Sequence, residues 1–404
     1  MIQKIAWKNI WRNKLRSIIL ITSIALGIWA GLFMMSMTTG LNTQRIGNAI
    51  NSGLGHIQIH HPEYTKEYNP KYFIKDTASL RQTLSQLPAI KSWSYHNNFT
   101  GMIASPTGGY GVALIGINPL TEKNTTSIHT KIISGTYFTS DKKNQIVIGE
   151  KLARKLKVEL NNKIVVTFQD TANNIISGAF RVTGIYKTAS SSFDESIAFL
   201  NKKDLEKLAG TSSIVNEVIV FLDDVTDVAP TKNKLSTSLP MLQVRSWDDV
   251  SPELGYANEL MSIALSVFIL IIILAMAFGI INTMLMAVLE RKRELGMLIS
   301  VGMNKRKVFS MILNETLYIS LIGGPIGIIG AWATINHFGK VGINLSSMGK
   351  GLDSLGIGSI IYTKLDSQMY LTITIVVVLT ALLASIYPSL RALRMNAAEA
   401  VRQN

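Results

Sequence analysis

Three histidines, His56, His60 and His61, crowd the run GHIQIHH and are the first candidates for metal ligation. The run alternates like a strand, which puts His56 and His60 on one face and His61 on the other. No acidic or cysteine partner stands at ligand spacing, so a solvated strand end is expected rather than a metal site. Asp248-Asp249, ahead of Ser251-Pro252, reads as a turn and not as a carboxylate pair. Zero cysteines exclude disulfides, thiolate catalysis and iron–sulfur clusters. The chain holds no G-x-x-x-x-G-K-[ST] phosphate loop, no G-x-S-x-G and no H-E-x-x-H. A chain with no catalytic residue, metal or cofactor of its own is the expectation. Glu315 is the only charged residue within its apolar run, and an intramembrane acid is a functional candidate by default. A basic or backbone partner near the inner interface is the preferred role for it, ahead of proton coupling.

The elements that must carry these residues are membrane helices. Hydrophobic residues make up 47% of the 404 and charged residues 16%, too few charges to cover several soluble domains. Four runs are long enough to cross about 30 Å of hydrocarbon: Ser17–Met37, Leu260–Leu289, Val308–Ile335 and Tyr370–Tyr387. The net charge is +14, and +11 of it lies in residues 1–17, 290–307 and 388–404, beside the spans. That placement argues against nucleic acid and assigns both termini and 290–307 to the cytoplasmic side. Residues 2–13 form an amphipathic pattern, with Ile2, Ile5, Ala6, Trp7, Ile10 and Trp11 opposite Lys4, Lys8 and Arg12, which suits a helix lying in the interface.

The expected order is an interfacial helix at 1–16, a first span at 17–40 and an outer domain at 41–259. A second span at 260–289, a cytoplasmic coupling helix at 290–307 and a third span at 308–335 follow. An outer loop at 336–369, a fourth span at 370–387 and a cytoplasmic tail at 388–404 close the chain. Within the outer domain, GHIQIHH, KSWSYH, GVALIGI, QIVIGE and NEVIVFL read as strands, and SLRQTLSQL, KLARKLKV and NKKDLEKL as helices. A hairpin is expected around Thr171–Gly178. SQLPAIKSW (85–93) and TSLPMLQVRSW (237–247) echo each other, as two related β-α-β halves with a block inserted between them would. Gly27-x-x-x-Gly31 and Gly323-x-x-x-Gly327 permit close helix approach, at a dimer seam or within the subunit.

A family resemblance enters at residues 282–309, NTMLMAVLERKRELGMLISVGMNKRKVF. Glu290-Arg291, Glu294-Leu295-Gly296, Leu298 and Gly302 resemble the E-R-x-x-E-[IL]-G-x-L-x-x-x-G signature of FtsX-like, MacB-type ABC transporter permeases. The tail YPSLRALRMNAAEAVR (387–402) is similar to that family's closing motif, departing from it at Ala397, where a proline is usual. AWKNIWRNKLRS (6–17), GHIQIH and IVIGEKLARKL resemble the lipoprotein-releasing branch.

The resemblance implies an α-helical integral membrane protein with four spans. A large α+β periplasmic domain goes with it, a split Porter-like part (41–128 and 214–259) with an inserted β-rich Sabre-like part (129–213). It further implies a bacterial inner-membrane complex of two ATPase subunits, which bind the ATP and Mg, with a second permease copy or paralogue. Movement of the helices would drive the periplasmic domains and lift lipoproteins from the outer leaflet to a periplasmic chaperone. MacB-type export of peptides or drugs, and FtsX-like activation of a cell-wall hydrolase, are the alternatives.

Three sets of site residues follow. The ATPase-coupling set is Glu290, Arg291, Arg293, Glu294, Gly296, Met297, Leu298, Val301 and Gly302, with Arg291, Arg293 and Glu294 expected to meet charges on the ATPase. Lifting an acyl chain from a bilayer costs about 0.8 kcal/mol per CH₂, so the cargo needs an adaptable apolar seat. Met34, Met35 and Met37 at the outer end of span one and Leu260, Ile263, Val267 and Phe268 on span two are the candidates. Ile175 and Ile176 in the 168–180 hairpin are the candidate chaperone hook, or simply pack on their own domain.

Overall fold

The apolar runs fold as helices that continue past them. In the computed structural model, which describes residues 2–139, 143–211, 214–346, 351, 356 and 358–393, the first span is Lys14–Ala49 and ends in a π-turn at Ile50–Leu54. The others are Pro252–Glu290, Lys305–Val341 and Ser367–Leu393. At 1.5 Å per residue the first is about 54 Å long, well over the hydrocarbon thickness, so its polar ends extend beyond the membrane. Residues 394–404, with most of the closing motif and its Ala397, lie outside the described residues. Two compact units result, the helices (residues 1–42, 258–344 and 360–404) and a sheet domain (43–257 and 345–359).

In the helical unit Leu20, Ile24, Ile28, Met276, Ile280, Ile312, Ile319, Ile373 and Val377 share one apolar core. The two glycine pairs serve packing inside the subunit. A Cβ on Gly327 would stand 2.6 Å from the Ala25 carbonyl oxygen, and one on Gly323 would stand 2.9 Å from that of Ile21. Spans one and three can only approach this closely because both positions lack a side chain.

The sheet domain is built from β1 (Ile57–His60), β2 (Ile90–Ser105), β3 (Gly108–Ile117), β4 (Ile132–Gly135) and β5 (Gln145–Gly149). The remaining strands are β6 (Lys163–Gln169), β7 (Ile175–Tyr186), β8 (Ile197–Asn201), β9 (Glu217–Leu222) and β10 (Gln243–Ser246). β10, β1, β9 and the first half of β2 form an antiparallel sheet in that order. The Thr77–Ser85 helix connects β1 to β2, and the Val228–Ser238 helix connects β9 to β10. Two interleaved β-α-β halves are the result, and the Leu-Pro echo falls at the matching helix-to-strand turn of each. Leu80, Leu84 and Leu235 of these helices join Ile57, Ile59, Val218 and Val220 in one core.

β2 then leaves this sheet for a second one. From Asn97 it pairs β3, and from Gly101 also β6. The ladder β2–β3–β8–β5–β7–β6 returns to β2 and closes a six-stranded ring around Phe99, Ile103, Leu114, Ile148, Val166 and Phe180. The block expected at 129–213 supplies only β5 to β8 of that ring. Closing a sheet removes its edges, and here closure requires two strands from before residue 129.

Three local expectations are corrected. Asp248-Asp249 is no simple turn: Trp247–Val250 is one helical turn in which Ser246 and Asp249 cap each other. The tip of the β6–β7 hairpin is Asp170–Asn174, tied by Asp170 Oδ1 accepting from the Ala172 and Asn174 amides at 2.8 Å each. The histidines are not at a solvated strand end. β1 lies between β9 and β10, and His56 and His60 are 8% and 3% exposed. The Leu222 N–H donates to His56, while the His60 ring stacks on Tyr64.

Candidate functional site: the coupling segment

Span two ends at Glu290 because Arg291, at φ −97° and ψ 16°, leaves the helical path. A separate helix, Lys292–Ser300, starts there, so 290–302 is broken at Arg291 rather than one continuous helix. It stops in a Schellman closure: Gly302 N–H donates to the Ile299 carbonyl at 3.1 Å and Met303 N–H to that of Leu298 at 2.9 Å. Gly302 takes φ +95°, which only glycine adopts without strain. Asn304 then caps span three by accepting the Arg306 amide at 2.9 Å. Leu295 and Gly296 of the short helix are buried and Leu298 packs on the helical core. Met297 is 53% and Val301 89% exposed, two apolar side chains left open among the described residues.

The charged residues divide by partner. Arg291 Nη1 donates to both Glu315 oxygens, at 3.0 and 3.1 Å, and Nη2 donates to the Asn9 carbonyl at 3.4 Å. Asn9 Nδ2 donates to Glu315 at 2.7 Å. Arg291 and Glu315 are 8% and 5% exposed. The expectation that Arg291 meets an ATPase is corrected: its guanidinium points inward, held by the acid inside span three. Glu315 has the basic partner that the sequence favoured over proton coupling, Arg291, and a side-chain amide, Asn9, beside it. Glu294 pairs with Arg12 at 2.5 Å in an exposed setting and Glu290 with the partly buried Arg16 at 3.3 Å, so the two acids are engaged within the chain. Arg293 stays on the outside of the short helix.

The N-terminal helix Ile2–Arg12 supplies half of these contacts. Ala6 and Ile10 are buried in the helical core, and Trp7 meets Tyr318 edge to face at 5.8 Å. A groove of about 360 Å³ lies between this helix and Lys292–Ser300, with Ile5, Leu295, Leu298 and Met311 on its floor and the Arg12–Glu294 pair at its rim.

The other two sets are placed differently. Leu260, Ile263, Val267 and Phe268 are exposed along span two, while Met34, Met35 and Met37 are half-buried and Met35 packs on the core. A hydrogen bond between Asn42 and Asn258 joins the outer ends of the two spans. The seven apolar residues do not line the coupling groove. Ile175 is 74% exposed at the base of the hairpin tip, whereas Ile176 is half-buried.

A second polar cluster escaped the sequence entirely. Where β2 passes between its two sheets, His96 Nε2 lies 3.0 Å from Glu122 and Nδ1 lies 3.4 Å from Glu217. Ser94 donates to Glu122 at 2.5 Å and Asn98 to Glu217 at 3.0 Å. Burial alone would strip the imidazole of its proton, but Glu122 and Glu217 override it and push His96 up to about 10. Burial alone would also raise the two carboxyls, and His96 holds both below their usual range. Burial lowers neighbouring His60, which stays neutral despite Glu217. Among the described residues no group of three or more His, Cys, Asp or Glu is arranged to hold a metal ion.

Comparison with known proteins locates the whole chain. A model described as the MacB-like periplasmic core domain matches residues 17–238, and one described as the FtsX-like permease C-terminal matches 266–397. The lipoprotein-releasing system transmembrane protein LolC of Neisseria meningitidis is 24% identical over 396 residues, 95% of this chain and 92% of the relative. LolC of Buchnera aphidicola is 24% identical over 326 residues, 78% and 77% of the two chains. The macrolide export ATP-binding/permease protein MacB of Bdellovibrio bacteriovorus is 23% identical over 369 residues, 81% of this chain but 55% of the relative. With one family model spanning more than half of its residues and the other covering the coupling segment, this multi-pass membrane chain belongs to the FtsX-like, MacB-type family of ABC transporter permeases.

Proposed function

We propose that this permease works by mechanotransmission to extract lipoproteins from the outer leaflet of a bacterial inner membrane and pass them to a periplasmic chaperone. Two separate ATPase subunits, which bind the ATP and Mg, dock on Lys292–Ser300 and drive a pair of permeases, either two copies or two paralogues. The observation that carries this reading is the exposed apolar pair of Met297, on a short helix braced from behind, and Val301, which caps that helix. An apolar knob on a fixed base is what a soluble motor subunit needs in order to push a membrane helix. The likeness to LolC along nearly the full length of both chains supports lipoprotein release. MacB-type export has weaker support, because the chain aligns with little more than half of that ATP-binding/permease relative. The +11 charge beside the spans supports cytoplasmic termini and a periplasmic sheet domain.

The protein content of the purified complex tests the reading. An ATPase subunit together with acylated lipoprotein is expected. An ATPase with a periplasmic hydrolase and no lipoprotein would overturn it in favour of signalling.

A further inference from the structure

The coupling helix is isolated from span two by the break at Arg291, and a hinge at that point would let it swing without moving anything else. The side chain of the hinge residue itself prevents this. Arg291 donates to the Glu315 carboxylate of span three at 3.0 and 3.1 Å and to the Asn9 carbonyl of the N-terminal helix at 3.4 Å. Asn9 closes the triangle by donating to the same carboxylate at 2.7 Å. The N-terminal helix, remote in sequence, and the consecutive coupling helix and span three are thereby joined pairwise at one buried point. Apolar packing surrounds it, with Ile10, Leu295, Met311 and Ile312 all in the same core. A displaced Arg291 or Glu315 would be left as an unpaired charge in a low-dielectric setting, so the triangle resists opening. The pair Arg12–Glu294 joins the N-terminal and coupling helices a second time, and Arg16–Glu290 joins spans one and two beside it.

We infer that the Asn9–Glu315–Arg291 triangle is the joint that makes the N-terminal helix, the coupling helix and span three move as one lever. The inference rests on Lys292–Ser300 being the docking element, and it adds that the N-terminal helix is a working part of the transmission. Asn9 and Glu315 are positioning residues: they act through Arg291 and touch no nucleotide or cargo.

The cysteine-free chain permits the test. Nitroxides at Lys8→Cys with Leu321→Cys, and at Ser300→Cys with Leu321→Cys, report the N-terminal and coupling helices against span three. Pulsed electron resonance would be recorded on the complex without nucleotide and after trapping with ATP and vanadate. In the otherwise unaltered protein each pair is expected to give one narrow distance distribution, the same in both states. Glu315→Gln is expected to broaden both distributions without nucleotide and to add a second population to both pairs on trapping. Asn9→Leu keeps the Arg291–Glu315 pair and is expected to free the Lys8 pair alone. The exchange Arg291→Glu with Glu315→Arg is expected to restore the single populations. Distances in Glu315→Gln that match the unaltered protein, or a change on trapping in the unaltered protein itself, would overturn the joint. Failure of an ATPase to copurify would refute docking instead. The permease alone then decides the joint, because Glu315→Gln must still broaden both distributions there.

Discussion

Two buried ionic clusters, one in each unit, have opposite chemical surroundings from the exposed pairs beside them, and substitution separates them. Arg291→Ala removes the cation hydrogen-bonded to buried Glu315 and is expected to cost about 3–5 kcal/mol. Arg12→Ala opens a pair whose side chains are 53% and 45% exposed and is expected to cost under about 1 kcal/mol. Thermal unfolding of the detergent-solubilised protein checks both; equal losses would contradict the assignment. His96 gives a pH signature. Its folded value of about 10 lies above its ordinary 6.5, so its stabilisation is complete below pH 6.5 and disappears as the pH climbs toward 10. Glu122 and Glu217 are depressed, so their share is present above their ordinary 4.5 and is lost as the pH falls through their folded values. Stability of the sheet domain should therefore be greatest between about pH 4.5 and 6.5 and fall on the alkaline side by at most about 1.4 kcal/mol per pH unit. His96→Gln should flatten that alkaline arm in melting curves recorded against pH. An unchanged arm would mean that His96 is neutral when folded.

At the scale of elements, spans one and three meet at Gly323 and Gly327, where backbone oxygens of Ile21 and Ala25 occupy the space a Cβ needs. Gly327→Leu should force these helices apart and destabilise the helical core by about 1–3 kcal/mol or more, read as a lowered melting temperature. Retention of the melting temperature would show that the helices do not approach there. The hairpin tip makes a contrasting case. Ile175→Asp alters a side chain that is 74% exposed and should change stability by no more than about 0.5 kcal/mol, while a photo-crosslinker at position 176 reports whether a carrier docks. Crosslinks confined to the permease would remove the hairpin as a hook. The spans, the short helices and most strands were legible in the sequence because their signals are local: an uncharged run, an amphipathic period, an alternating stretch. The Glu-Leu-Gly core of the coupling segment was legible as a motif, but the inward turn of Arg291 was not. Its partners Asn9 and Glu315 lie 282 and 24 residues away, and no local pattern joins them. Ring closure was hidden for the same reason, since β2 serves two sheets and β6 pairs with a strand some sixty residues earlier. Alternation identified β1, yet could not say that its neighbours β9 and β10 bury His56 and His60.

Across the whole molecule, an asymmetric charge distribution, four apolar spans and an exposed apolar pair at the coupling helix are the features on which the proposed mechanotransmission rests. Sidedness is open to direct labelling in a chain with no cysteine of its own. Lys151→Cys, exposed in the sheet domain, should react with an impermeant maleimide from outside, and Lys305→Cys should react only after the membrane is opened. Labelling of position 305 from outside would reverse the topology. Lipoprotein extraction itself is decided in proteoliposomes holding the permease complex, its ATPase and a triacylated lipoprotein, with a soluble lipoprotein carrier outside. ATP should move lipoprotein from vesicle to carrier, and Val301→Glu, which puts a charge on the docking knob, should abolish both that transfer and ATPase recovery. Transfer that proceeds equally without ATP, or that survives Val301→Glu with the ATPase still bound, would contradict the account.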